Sequence, residues 1–238
     1  MLPHDGYMQC LIAIGFRHGD PVANTLRVWA INLGDGRALA DEVASLGYDR
    51  ILFVPTGIAP HKEMAFEVGP EVRAAMVDLA VEDDSRFFLE KCEVERGGTS
   101  YTWDTICFLE KKYEGMLDGK IGLIIGYDQA ATFHLWKNAR ELSEKCQLII
   151  GRRPDQKEDE SFSNKATGGY ASAGSSGCEK IDFHGMELLK DAVFLENEFL
   201  AVSSTGIRTR AAKGLPFRYL VPQKVFKYIM DGNIYGKH

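Results

Sequence analysis

Short, mostly apolar runs punctuate the chain at residues 10–14, 50–54, 120–125 and 147–150, the last three each led by one polar residue, Arg50, Lys120 or Gln147. Runs that are apolar at consecutive rather than alternate positions suit strands buried on both faces of a parallel sheet. Between them the period lengthens. Residues 38–46 predict a helix with Gly47 placed to stop it, and residues 71–81 predict another. In the second, Val72, Ala75, Met76, Leu79 and Ala80 share one face. Phe87-Phe88-Leu89 predicts a further strand, residues 195–202 bring the chain back into the sheet, and Val225-Phe226-Lys227-Tyr228-Ile229 forms an apolar-periodic tail. Strands alternating with helices predict an α/β fold, doubly wound on a mostly parallel sheet. The length of 238 residues allows one domain over 1–238 with a full core.

The pattern fails at residues 155–180. This stretch is rich in Ser, Gly, Lys and Glu and poor in large apolar side chains. It cannot bury enough surface to offset its ordering entropy, so it is expected to be a mobile insertion. Over the whole chain, 45% hydrophobic and 26% charged residues are ordinary for a globular protein. A net charge of -6 argues against a broad nucleic-acid surface. No apolar run approaches a membrane span, and residues 1–14 lack the charged start of a signal peptide. Cys10, Cys92, Cys107, Cys146 and Cys178 are scattered and odd in number, which fits free thiols in a reducing cytoplasm.

The chemistry concentrates where runs end. Ala201 and Val202 lead into Ser203, Ser204 and Thr205, then Gly206, Ile207 and Arg208. A strand tip feeding a helix there offers hydroxyl caps, free N–H groups and a forked cation, a set suited to phosphate. Pro55-Thr56-Gly57-Ile58-Ala59-Pro60-His61-Lys62 follows the 50–54 run, and Lys62 is a point charge for phosphate. Thr102 is placed to cap a new helix and Asp104 to favour its positive end. Asp128 follows Gly126 and Tyr127 beyond a central strand, where open α/β sheets bind ligands. Each feature also has a plainer meaning: a helix cap, an exposed lysine, a core Trp136 or a solvent-facing His18.

In their order these segments resemble a known family. Ser204-Thr205-Gly206-Ile207-Arg208 resembles the Ser-Thr-x-x-Arg motif of the nucleotidylyltransferase superfamily. Ser100-Tyr101-Thr102-Trp103-Asp104-Thr105, Gly126-Tyr127-Asp128, His134-Leu135-Trp136 and the Arg218–Gly236 tail look like nicotinate-nucleotide adenylyltransferases. The resemblance implies a Rossmann-like nucleotidylyltransferase fold. It also implies transfer of the adenylyl group of ATP to nicotinate mononucleotide in NAD biosynthesis. Gly15, Gly126, Asp128, Ser203, Ser204, Thr205 and Arg208 would meet the nucleotide. Lys62, Ser100, Tyr101, Thr102, Asp104 and Trp136 would meet the mononucleotide. Mg²⁺ would arrive on ATP, with no protein ligand assigned.

One departure bears on activity. The family carries a glycine-rich turn and a His-x-Gly-His motif after its first strand, whose imidazoles donate to phosphate as pyrophosphate leaves. Here Gly15-Phe16-Arg17-His18-Gly19-Asp20-Pro21-Val22 supplies His18 alone, and a second register at Asn32-Leu33-Gly34-Asp35 supplies none. Two other functions therefore stand beside the enzyme: a catalytically impaired nucleotide-binding member, and a sister transferase for another phosphate such as phosphopantetheine. The Ser100–Thr105 and His134–Trp136 segments argue against the sister transferase.

Overall fold

The structure, a computed structural model, describes residues 10–14, 26–27, 35–48, 50–57, 68–151, 186–195 and 204–236. Among the described residues seven strands form one sheet: β1 (Cys10–Ile14), β2 (Leu26–Arg27), β3 (Arg50–Val54), β4 (Phe87–Leu89), β5 (Ile121–Gly126), β6 (Cys146–Gly151) and β7 (Val193–Phe194). Their order is β4-β3-β2-β1-β5-β6-β7, with β1 also bonded to β3. The eight helices among the described residues are α1 (Asp35–Ser45), α2 (Pro70–Val81), α3 (Cys92–Arg96), α4 (Thr102–Lys112), α5 (Tyr127–Thr132), α6 (Ala139–Lys145), α7 (Ser204–Ala212) and α8 (Gln223–Asp231).

The consecutive apolar runs behave as their composition requires. In β3 every residue after Arg50 is buried, and so is every residue of β5 before Gly126. Phe53 meets Phe87 of β4 with ring centroids 5.4 Å apart and planes tilted by 59°. Helix α1 buries Leu39, Ala40 and Val43 and stops at Gly47, whose φ of +87° is open to glycine at no steric cost. Helix α2 opens on Pro70, where a missing N–H costs nothing. It buries Ala74, Met76, Val77, Ala80 and Val81. The expected stripe is thus widened: Met76 and Ala80 are buried, Val72 and Leu79 pack against the core, and Ala74, Val77 and Val81 join them because α2 packs against both β4 and α8. Helix α8 places Val225 and Ile229 in the core, and the Tyr235 hydroxyl lies 3.9 Å from Met76 Sδ.

β2–β3, β3–β4, β5–β6 and β6–β7 are parallel. β1 runs antiparallel to β2, β3 and β5. A short apolar run carries no mark of direction, since backbone groups pair in either sense. Leu11 lies between Phe53 of β3 and Ile124 of β5, and Ile14 lies opposite Arg50. The carboxyl ends of β3 and β5 therefore share one edge of the sheet, and the chain leaves β1 from the other. β7 lies immediately upstream of the expected return strand over 195–202, and the first residue of that stretch, Leu195, donates its N–H to Ile150 O at 2.9 Å. Residues 196–203 and the predicted insertion at 155–180 lie outside the described residues.

Candidate active site

The carboxyl ends of β3, β5 and β6 fall on one edge, with Gly126 paired to Gly151. From β3 the chain turns at Pro55-Thr56-Gly57. Arg73 on α2 holds that turn: Nη2 donates to the carbonyls of Thr56 at 2.5 Å and Gly57 at 2.7 Å, and Nη1 to that of Val68 at 2.7 Å. The Gly57 N–H donates to Ser100 Oγ at 3.1 Å. A β-carbon on Gly57 would stand 2.7 Å from the Glu93 carbonyl oxygen and 3.2 Å from Ser100 Oγ. Only glycine lets the turn approach α3 so closely.

Ser100 opens the segment that enters α4. Tyr101, extended at φ -114° and ψ 134°, takes the cap position, and no side chain bonds the free amides. Thr102, expected to be the cap, is instead the first helical residue and is buried. The helix begins one residue early because Tyr101 already makes the turn: its carbonyl accepts from the Asp104 and Thr105 amides at 3.1 and 3.3 Å. Asp104 lies in the first turn, as expected, where the helix dipole favours its charge.

Beneath this segment lies Glu93, 1% exposed. Thr105 Oγ1 donates to Glu93 Oε1 at 2.6 Å, and Thr105 is itself fully buried. Burial pushes the Glu93 carboxyl above its ordinary range. The Thr105 and Ser100 hydroxyls, Arg96 and the Gly57 N–H act the other way and do not overcome it.

From β5 the chain passes through Gly126, whose N–H donates to Gln129 Oε1 at 3.2 Å, into α5 and a 3₁₀ turn at Phe133–Leu135. Tyr127 and Trp136 are half-buried, and Trp136 meets Phe133 at 5.3 Å between ring centroids. Lys137 Nζ lies 2.8 and 2.9 Å from the Asp104 oxygens and 4.8 Å from the Tyr101 ring centroid. Asn138 then adopts the left-handed φ of 56° and starts α6.

The structure thus joins Gly57 to Ser100, and Tyr101 and Asp104 to Lys137, through direct contacts, with Trp136 the residue before Lys137. Ser204, Thr205 and Arg208 share the start of α7, where Arg208 Nη2 donates to Thr205 Oγ1 at 2.9 Å. Asp128 belongs to α5 by its backbone. Gly15, His18, Lys62 and Ser203 lie outside the described residues. Among the described residues no three His, Cys, Asp or Glu side chains are grouped to hold a metal ion, and no helix is long and apolar enough to cross a membrane. Cys92, Cys107 and Cys146 are free thiols; burial pushes Cys92 and Cys146 up to about 12, so neither is a ready nucleophile.

Glu93, Arg73 and Lys137 were not singled out from the sequence. Glu93 reads there like the neighbouring Glu95, a charge before a glycine pair. Lys137 could have drawn notice only as the basic neighbour of Trp136.

The sheet, its shared carboxyl edge and the helices starting beside it define a nucleotidyltransferase architecture, and residues 37–210 match the cytidylyltransferase-like family. The chain belongs to the nicotinate-nucleotide adenylyltransferase family. It is 34% identical over 198 residues to a probable nicotinate-nucleotide adenylyltransferase of Treponema pallidum, covering 83% of this chain and 90% of that relative. One from Opitutus terrae is 32% identical over 205 residues, covering 86% and 92%. Among solved structures, Plasmodium falciparum nicotinic acid mononucleotide adenylyltransferase complexed with NaAD superposes with a TM-score of 0.60 at 16% identity, covering 84% of this chain and 89% of that one. The same enzyme complexed with APC gives 0.57 at 16% identity, covering 82% and 87%. These likenesses establish the Rossmann-like nucleotidylyltransferase fold.

Proposed function

We propose that this chain transfers the adenylyl group of ATP to nicotinate mononucleotide, releasing pyrophosphate. The observation that carries this is the set of contacts from Gly57 to Ser100 and from Asp104 to Lys137, the residue after Trp136, beside the carboxyl ends of β3 and β5. In the reaction a phosphate oxygen of the mononucleotide bonds to the α-phosphorus of ATP. The bond from that phosphorus to the β-phosphate bridge breaks, and pyrophosphate leaves with the electron pair. No covalent enzyme intermediate is needed; alignment and charge neutralisation supply the rate. Mg²⁺ enters on ATP as part of the substrate.

The roles follow from chemistry. Trp136 offers a flat indole to the pyridine ring, with Ser100, Tyr101, Thr102 and Asp104 around it. Lys62 serves the mononucleotide phosphate, and Gly126 and Asp128 the nucleotide. Gly15, Ser203, Ser204, Thr205 and Arg208 serve the ATP phosphates. The NaAD in the Plasmodium falciparum complex supports a pyridine dinucleotide as the product. The net charge of -6 favours these small ligands over nucleic acid, and the free thiols favour the cytoplasm.

A second function has its own support. Residues 15–25 offer one imidazole, His18, and the chain leaves β1 at the edge opposite the carboxyl ends of β3 and β5. Both favour a member that binds nucleotides and turns them over slowly. One experiment separates the two. Protein is incubated with ATP, Mg²⁺ and either nicotinate or nicotinamide mononucleotide, and pyrophosphate release is followed. Brisk release with the nicotinate compound supports the transferase; ATP binding without release supports the impaired member.

A further inference from the structure

The Glu93 carboxyl is buried, and the exposed Arg96 guanidinium is among the charged groups that act on it. The carboxyl sits between two segments that arrive from distant parts of the sequence. One is the turn Pro55-Thr56-Gly57 after β3. Its glycine fits against the Glu93 backbone so closely that an added β-carbon would come within 2.7 Å. The other is the segment from Ser100 into α4, held by Thr105 Oγ1 at 2.6 Å from Glu93 Oε1 and tied to the turn by Gly57 N–H on Ser100 Oγ. Arg96 Nη2 lies 3.4 Å from the same Thr105 hydroxyl. A carboxyl group is costly to bury and persists only where something requires it. Lys112 does not serve Glu93; it pairs with Glu90 at 2.6 Å.

We infer that Glu93 is a positioning residue for the pyridine mononucleotide: its carboxyl fixes the Ser100–Thr105 segment against the Gly57 turn, so that Ser100, Tyr101 and Thr102 meet the ligand in one arrangement. The inference rests on the transferase function proposed above. It assigns Glu93 no contact with substrate and no role toward ATP. The specificity of its effect follows from place: Glu93 contacts Thr105, Ser100 and the Gly57 turn, whereas α7, with Ser204 and Arg208, starts elsewhere in the chain. Misplacing a binding segment by a fraction of an ångström weakens the ligand that the segment meets and leaves an independent subsite alone.

The test measures dissociation constants of nicotinate mononucleotide and of a non-hydrolysable ATP analogue by calorimetry. Wild type, Glu93→Ala, Glu93→Gln, Thr105→Val and the Glu93→Ala/Thr105→Val double variant are compared. Glu93→Ala is expected to weaken the mononucleotide by about tenfold while the ATP analogue stays within about twofold. Glu93→Gln, which keeps an acceptor for the Thr105 hydroxyl, is expected to recover most of the loss. Thr105→Val should reproduce part of it and add little on top of Glu93→Ala. If Glu93→Ala does not fold, Thr105→Val carries the test alone, because it removes one hydroxyl without changing shape. Equal weakening of both ligands, or unchanged mononucleotide binding in Thr105→Val, overturns the inference. Wild type that binds the ATP analogue but no pyridine mononucleotide overturns the proposed function, and the inference with it.

Discussion

Lys137 Nζ bridges both carboxylate oxygens of Asp104, at 2.8 and 2.9 Å, and so fastens the residue after Trp136 to the first turn of α4. Both partners are more than a third exposed, so the pair contributes only about 0.2–1 kcal/mol. Its value is geometric. It sets the indole-bearing segment beside Ser100 and Tyr101 before any ligand arrives. Lys137→Ala is expected to leave the thermal midpoint nearly unchanged and to weaken nicotinate mononucleotide a few-fold. Part of the wild-type affinity should also fall as salt rises, and the variant should lose that dependence. Titrations at low and high ionic strength check both.

Gly57→Ala should destabilise the fold, because the new β-carbon meets a backbone oxygen that cannot rotate away. Forcing the turn off α3 is expected to cost about 1–3 kcal/mol, readable as a lower urea midpoint. The same substitution at Gly69, which has open space around it, should cost far less.

The raised Glu93 carboxyl gives a pH signature. The folded state keeps a proton that the unfolded chain releases near the ordinary value of 4.5. Stability is therefore lost as pH rises from that value through the folded one. Glu93→Gln carries no such proton. Relative to wild type it should gain stability over that window and be level below it. Urea midpoints of the two proteins against pH decide this; a constant difference across the range would refute it.

Trp136 should report the pyridine ring. Nicotinate mononucleotide is expected to quench tryptophan fluorescence, and Trp136→Phe to remove most of the quench. A quench that survives in the variant would assign the signal to Trp103 or Trp29 and move the ring elsewhere.

What the sequence disclosed depended on how local the cause was. β3 and β4 lie where the apolar runs do, since Ile51 to Val54 are all buried and Phe87 joins the core beside them. Gly47 stops α1 because only its own dihedral is involved. The face of α2 is legible only in part, since α8, far along the chain, covers further residues beside the expected stripe. The cap moved from Thr102 to Tyr101 for a backbone reason that no side chain announces. Ser100, Tyr101, Asp104 and Trp136 could be named through their motifs. Glu93 and Lys137 could not, because each owes its place to a partner that only folding brings near. The direction of β1 was hidden for a different reason, that an apolar run of five residues reads alike in both senses.

That strand also has a mechanical consequence. Among the described residues β3 and β5 are not bonded to each other, and every strand pairing that joins the β4-β3-β2 half to the β5-β6-β7 half runs through residues 10–14. Five residues act as the seam of the sheet. Were that seam to open, each half would present a row of unpaired N–H and C=O groups, and such edges recruit strands from other chains. Fraying at those five residues would thus open a route to pairing with another chain.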